Sequence, residues 1–278
     1  MLGPRVVQTP VGASKVSQRF STHAPGPVDA PVWLWLIVPA VAYPLVIASI
    51  FMGDFYSFLM RKEGAIEYLA VVILLIGVGY GVALLKNYRS VLPRRWLVWW
   101  LSIATLGTFV FAGEEVSWGQ HLGFWTSEQL PEALKAINDQ HETNLHNMSN
   151  KLDQLPNNII VLGTFFAYVL LPLHLKRRNQ TMGYDDPGYW FWPTRTGLLA
   201  AIGVLVIPFP KRIYEWTTGQ SAPVTLRHSE LQEFYIAVLM TIYLVSVYRR
   251  ARWLALQRSS EGQPVAETEP AEPTRVAS

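Results

Sequence analysis

Ala65-Ile-Glu-Tyr-Leu-Ala-Val-Val-Ile-Leu-Leu-Ile-Gly-Val-Gly-Tyr-Gly-Val-Ala-Leu-Leu85 is an apolar run interrupted by a single charged side chain, Glu67. Coiled into a helix with a rise of about 1.5 Å per residue, it reaches about 30 Å, the thickness of a bilayer's hydrocarbon core. A helix apolar on every face has no side to offer water, so it belongs inside protein or lipid. Comparable runs occupy residues 32–52, 96–113, 159–175 and 231–248. A shorter one, 196–210, is bracketed by Pro193, Pro208 and Pro210 and reads as a tilted, broken or re-entrant segment. The expected fold is therefore all-α: a polytopic transmembrane bundle of about six spans across residues 31–255.

The composition agrees. Apolar residues make up 50% of the chain and charged residues 15%, against about 25% charged in an average globular domain. Residues 1–30 contain no apolar core of a cleavable signal and read as a disordered cytoplasmic tail before a signal anchor. Residues 256–278, rich in Glu, Pro, Ala and Ser, read as a second disordered cytoplasmic tail. The chain has no cysteine, which excludes disulfides, thiolate nucleophiles and cysteine-held metals. The net charge of +3 resides in loops rather than in a basic face, so no nucleic-acid partner is expected.

Loop charges predict the orientation, because Lys and Arg flanking a span resist translocation. Connections after the even-numbered spans carry twelve basic residues, including Lys86, Arg89, Lys176, Arg177, Arg178 and Arg250, against seven after the odd-numbered ones. Both termini are then cytoplasmic and the odd loops periplasmic, in a bacterial inner membrane. Trp33, Trp35, Trp96, Trp99, Trp100, Trp190, Trp192 and Trp253 fall near the expected inner boundary, and Trp118, Trp125 and Trp216 near the outer one, as interfacial belts require.

On that assignment, thirteen of the twenty acids and four of the six histidines lie outside. The richest stretch is Phe111-Ala-Gly-Glu-Glu-Val-Ser-Trp-Gly-Gln-His121. If the third span continues through it, Glu114, Ser117 and His121 share one helical face. Carboxylates this close to hydrocarbon are costly unless paired, protonated or bound to a cation, so Glu114-Glu115 marks a candidate site. The long third loop continues with residues 132–147, expected to form an amphipathic interfacial helix on which Glu142 and His146 stand one turn apart. His228, Glu230 and Glu233 open the last span, and Glu63 and Glu67 the second. For each cluster the plainer alternative is structural: acids favour helix N-termini, and helix ends form ordinary ion pairs. Four clusters on one side are more economically explained by one shared pocket.

Gly113-Glu-Glu-Val-Ser-Trp-Gly-Gln120, Glu142-Thr-Asn-Leu-His-Asn147 and Lys62-Glu-Gly-Ala-Ile-Glu-Tyr68 resemble signature stretches of a family of uncharacterised bacterial multi-span membrane proteins, which brings no established activity. Ser117-Trp-Gly-Gln-His121 is similar to the Ser-x-x-x-His motif of the CREST membrane hydrolases, whose histidines hold zinc for hydrolysis of a lipid amide bond. That resemblance implies His121 as a zinc ligand and Ser117 as a helper of the metal-bound water or the oxyanion. The chain departs from the pattern in its last span, which offers His228, Glu230 and Glu233 where those enzymes carry a His-x-x-x-His pair.

The leading expectation is a metal-dependent hydrolase or transferase acting on a lipid or lipid-linked substrate at the outer leaflet. Zn2+ or another divalent metal is expected on Glu114, His121, Glu142 and His146. Glu115, Ser117 and Glu233 are the expected catalytic groups, and Arg61, Arg212, Arg227 and His228 the substrate-binding ones. The alternatives are a proton- or ion-coupled transporter and a non-catalytic membrane assembly protein.

Overall fold

The computed structural model describes residues 29–60, 64–120, 123–126, 128, 150–223 and 229–261. All regular structure within them is helical. A π-helical turn, Trp33–Ile37, leads into α1 (Val38–Ser49), followed by α2 (Asp54–Met60), α3 (Ala65–Asn87) and α4 (Arg95–Glu115). Next comes α5 (Asn150–Phe165), which runs through a second π turn, Phe166–Leu170, into α6 (Leu171–Arg177). The chain then forms α7 (Pro187–Phe191), α8 (Leu198–Val206), α9 (Phe209–Thr218) and the long α10 (Ser229–Glu261).

Five helical segments are long and apolar enough to cross a membrane: Asp54–Asn87, Arg95–Glu115, Asn158–Arg177, Pro187–Thr218 and Ser229–Ser259. The first expected span forms a shorter apolar helix, Trp33–Ala48. Pro44 lies inside α1, and the helix gives way to a 3-10 turn at Ile50–Met52 and to Gly53 at φ 33°. The weak run at 196–210 is interrupted as its prolines suggested. Helix α8 stops at Val206, and Pro208 and Pro210 restart the chain as α9, since proline lacks a donor and blocks the preceding turn.

Helix α10 is the hub. Phe234, Tyr235, Ile236, Ala237 and Val238 are consecutive and all buried, so this helix presents no solvent or lipid face along its middle. It packs along α3 and α8, while α3 packs along α4. Small residues allow the close approach. A Cβ on Gly77 would lie 2.7 Å from Thr241 Oγ1, and one on Gly203 would lie 2.1 Å from the ring of Tyr235. Hydrogen bonds add to this packing: Thr241 Oγ1 donates to the Ile73 carbonyl at 2.9 Å, joining α10 to α3, and the Tyr235 hydroxyl to the Pro39 carbonyl at 2.5 Å, joining α10 to α1. Each such bond contributes about 0.6 kcal/mol between membrane helices.

The outward faces are apolar. Leu69, Val72 and Leu75 on α3 and Trp99, Ile103 and Leu106 on α4 are exposed at helical spacing, the pattern of surfaces that meet acyl chains rather than water. Trp190 is fully buried, with its Nε1 donating to the Tyr184 carbonyl at 2.8 Å. The bundle also reaches past its expected limits: Asp29 and Ala30 are buried, and α10 continues to Glu261. The expected interfacial helix at 132–147 lies outside the described residues.

Candidate functional site

The conspicuous Gly113–Gln120 stretch does not continue the third span as a helix. Helix α4 ends at Glu115, and Ser117, Trp118 and Gly119 follow with φ of 46°, 55° and 98°. Two consecutive non-glycine residues in the left-handed region cost roughly 1 kcal/mol or more each. The turn is held by its neighbours. The Trp118 ring lies on Gly113, where a Cβ would come within 2.9 Å, and its Nε1 donates to Glu114 Oε1 at 2.6 Å. Trp125 Nε1 donates to the Trp118 carbonyl at 3.1 Å, and the Gly119 amide to the Val116 carbonyl at 2.8 Å. Gly113, Glu114, Trp118 and Gly119 thus build the turn, and Ser117 is completely buried within it. The expectation that Glu114, Ser117 and His121 align on one helical face is overturned for its described members, because the chain reverses hand between Glu114 and Ser117.

Glu115 has no part in the turn. Its side chain is 8% exposed, as is that of Glu67 in the first turn of α3. The charges of Glu233, Glu67, Glu230 and Glu114 all act on it, so α3, α4 and α10 bring their acidic ends together. The helix dipoles separate these acids into two kinds. Glu67 and Glu230 stand in first turns, where the positive end of the helix favours a carboxylate. Glu114 and Glu115 close α4, whose last turn contains no basic residue, so the negative end of that helix opposes them. Helix stabilisation therefore accounts for Glu67 and Glu230 but not for a buried Glu115.

Of the residues expected to form the site, the structure brings Glu114, Glu115 and Glu233 into one electrostatic neighbourhood, with Ser117 two residues beyond Glu115. It adds Glu67 and Glu230, whose position one turn into their spans was their only signal in the sequence. Glu114 is turned toward Trp118 by the hydrogen bond from its indole. Arg212 lies exposed on α9, and no described contact joins it to the carboxylates. Arg61, His121, Glu142, His146, Arg227 and His228 lie outside the described residues. Among the described residues, no three His, Asp or Glu side chains are grouped to hold one metal ion. Glu115, buried with the charges of four other acids acting on it, is a carboxyl group suited to holding a proton. No family model, curated protein or solved structure matches the chain.

Proposed function

We propose that this protein is a membrane enzyme whose carboxylate pocket, at the outer membrane boundary, acts on a lipid or lipid-linked substrate by hydrolysis or group transfer. The observation that carries the reading is Glu115, buried at the unfavourable end of α4 among the acids of α3 and α10. An arrangement that opposes helix electrostatics is retained where function requires it. Glu115 and Glu233 supply proton-transfer groups within that pocket, and buried Ser117 sits in the adjoining strained turn.

A divalent metal, Zn2+ or another, enters this reading through His121, His146 and Glu142 together with Glu114. The described acids do not form such a site by themselves, so the mechanism rests on the carboxylates. When bound, the ion would supply an activated water.

The test uses purified protein in nanodiscs containing a total bacterial lipid extract, with products followed by mass spectrometry and bound metals by elemental analysis. Wild type is expected to convert a lipid species, Glu115→Gln to lose at least about a hundredfold in rate, and His121→Ala to lose the metal. Identical lipid profiles for wild type and Glu115→Gln would overturn the enzymatic reading. A second reading, proton- or ion-coupled transport, is favoured by the placement of the acids on packed membrane-length helices around α10. It predicts flux into proteoliposomes that disappears in Glu115→Gln while lipid composition stays constant.

A further inference from the structure

At the opposite end of the bundle, among the basic connections, lies a cavity of about 30 Å3 lined by Tyr168, Leu171, Trp192, Thr194, Arg195 and Arg250, among others. About 10–15 Å3 of such space admits one water, so the cavity takes one or two oxygen-sized atoms. Arg250 is 3% exposed. Its Nε donates to the Ser246 carbonyl at 3.2 Å and its Nη1 to the Tyr189 carbonyl, while its guanidinium lies 4.7 Å from the centre of the Tyr189 ring. Its Nη2 and the Tyr168 hydroxyl are, among the described residues, the buried side-chain polar atoms left without a hydrogen-bond partner.

Two unsatisfied donors on one small cavity call for an acceptor with more than one lone pair, since a buried unmet donor costs about as much as a lost hydrogen bond. The nearby acid does not fill this role. Asp29 accepts from Ser246 Oγ, from Thr196 Oγ1 at 3.4 Å and from the Ala30 amide at 3.0 Å, and it forms no ion pair with Arg250 among the described residues. The surroundings favour an anion: Arg195 lines the cavity, and exposed Lys176, Arg177 and Arg178 follow its Leu175 wall. They also favour an amphipathic one. Much of the lining is aliphatic or aromatic, and exposed Phe166, Leu170 and Leu173 continue the same helical segment.

We propose that this cavity seats a phosphate oxygen of an anionic lipid headgroup, accepted between Arg250 Nη2 and the Tyr168 hydroxyl, with the acyl chains along the Phe166–Leu173 face. Arginine suits the role because its fixed fork stays charged and points donors at phosphate oxygens. The site is independent of the carboxylate pocket.

The test titrates the full chain in detergent with dioctanoylphosphatidic acid, dioctanoylglycerol and inorganic phosphate, reading bound lipid by native mass spectrometry and the thermal midpoint in parallel. Phosphatidic acid is expected to bind and raise the midpoint, dioctanoylglycerol to do neither, and inorganic phosphate to act only at far higher concentration. Tyr168→Phe removes one donor and preserves packing, so it is expected to weaken phosphatidic acid about two- to tenfold while leaving the unliganded midpoint unchanged or raised. Arg250→Gln is expected to abolish binding, and if that variant does not fold, Tyr168→Phe decides. Equal affinity for phosphatidic acid and dioctanoylglycerol, or no effect of Tyr168→Phe on binding, would overturn the proposal and leave ordered water in the cavity. Equal potency of inorganic phosphate would overturn its lipid component.

Discussion

The two ends of the bundle handle buried charge in opposite ways. At the basic end, a lone acid and a lone arginine are each provided with local partners: Asp29 takes Ser246, Thr196 and a backbone amide, and Arg250 takes two carbonyls and two aromatic rings. At the acidic end, carboxylates from three helices crowd together, and the strained turn after Glu115 holds Glu114 beside them. The first arrangement contributes to folding, because each charge there has been given something to bind. The second sets a buried Glu115 among other acids at the unfavourable end of its helix, and the proposed chemistry is assigned there.

The sharpest break in this comparison is Arg250→Ala. It removes two charge-assisted hydrogen bonds and a stacked cation, so the fold should lose about 3 kcal/mol or more, measured as a lowered thermal midpoint in detergent. A loss below about 1 kcal/mol would remove the contrast between the ends. Neutral isosteres probe the same difference with opposite signs. Asp29→Asn weakens an acceptor already served by three donors and should cost about 2 kcal/mol, whereas Glu115→Gln puts a neutral isostere among the neighbouring acids and should be neutral or stabilise by up to about 1 kcal/mol. Equal destabilisation by both would show that Glu115 is a structural acid. Smallest in stability is Ser117→Gly, in which relief of a left-handed residue is opposed by loss of the buried hydroxyl's interaction, so the net change should lie within about 1 kcal/mol of zero. If Ser117 also serves the site, lipid conversion should fall in the same variant, and an unchanged rate would confine the residue to the turn.

Much of the architecture was legible along the chain. The apolar runs at 65–85, 96–113, 159–175 and 231–248 all fall on membrane-length helices, because lipid and helix backbone together impose one length and one composition. The prolines also foretold the interruption within 187–218. The helical continuation through Ser117 was misread, since Gly113-Glu-Glu-Val-Ser-Trp-Gly contains good helix formers and no proline. The indole of Trp118 reaching back to Glu114 and Gly113 is what turns it aside. The complete burial of Trp190 follows from its packing in an apolar cluster with Leu97, Leu101 and Val247, with Arg250 over its ring.

The sequence alone determined that the chain is helical, that its helices match a bilayer, and that acids gather at one end of the spans while bases gather at the other. These follow from local composition and from periodicity, which act within a single helix. Tertiary structure decided which acids meet and how Arg250 is housed. It also decided that Asp29, in a stretch expected to be a tail, is buried against α10, 217 positions away from its partner Ser246. Contacts of that range depend on how helices pack side by side, and a span's own residues specify its length and polarity without specifying its neighbours.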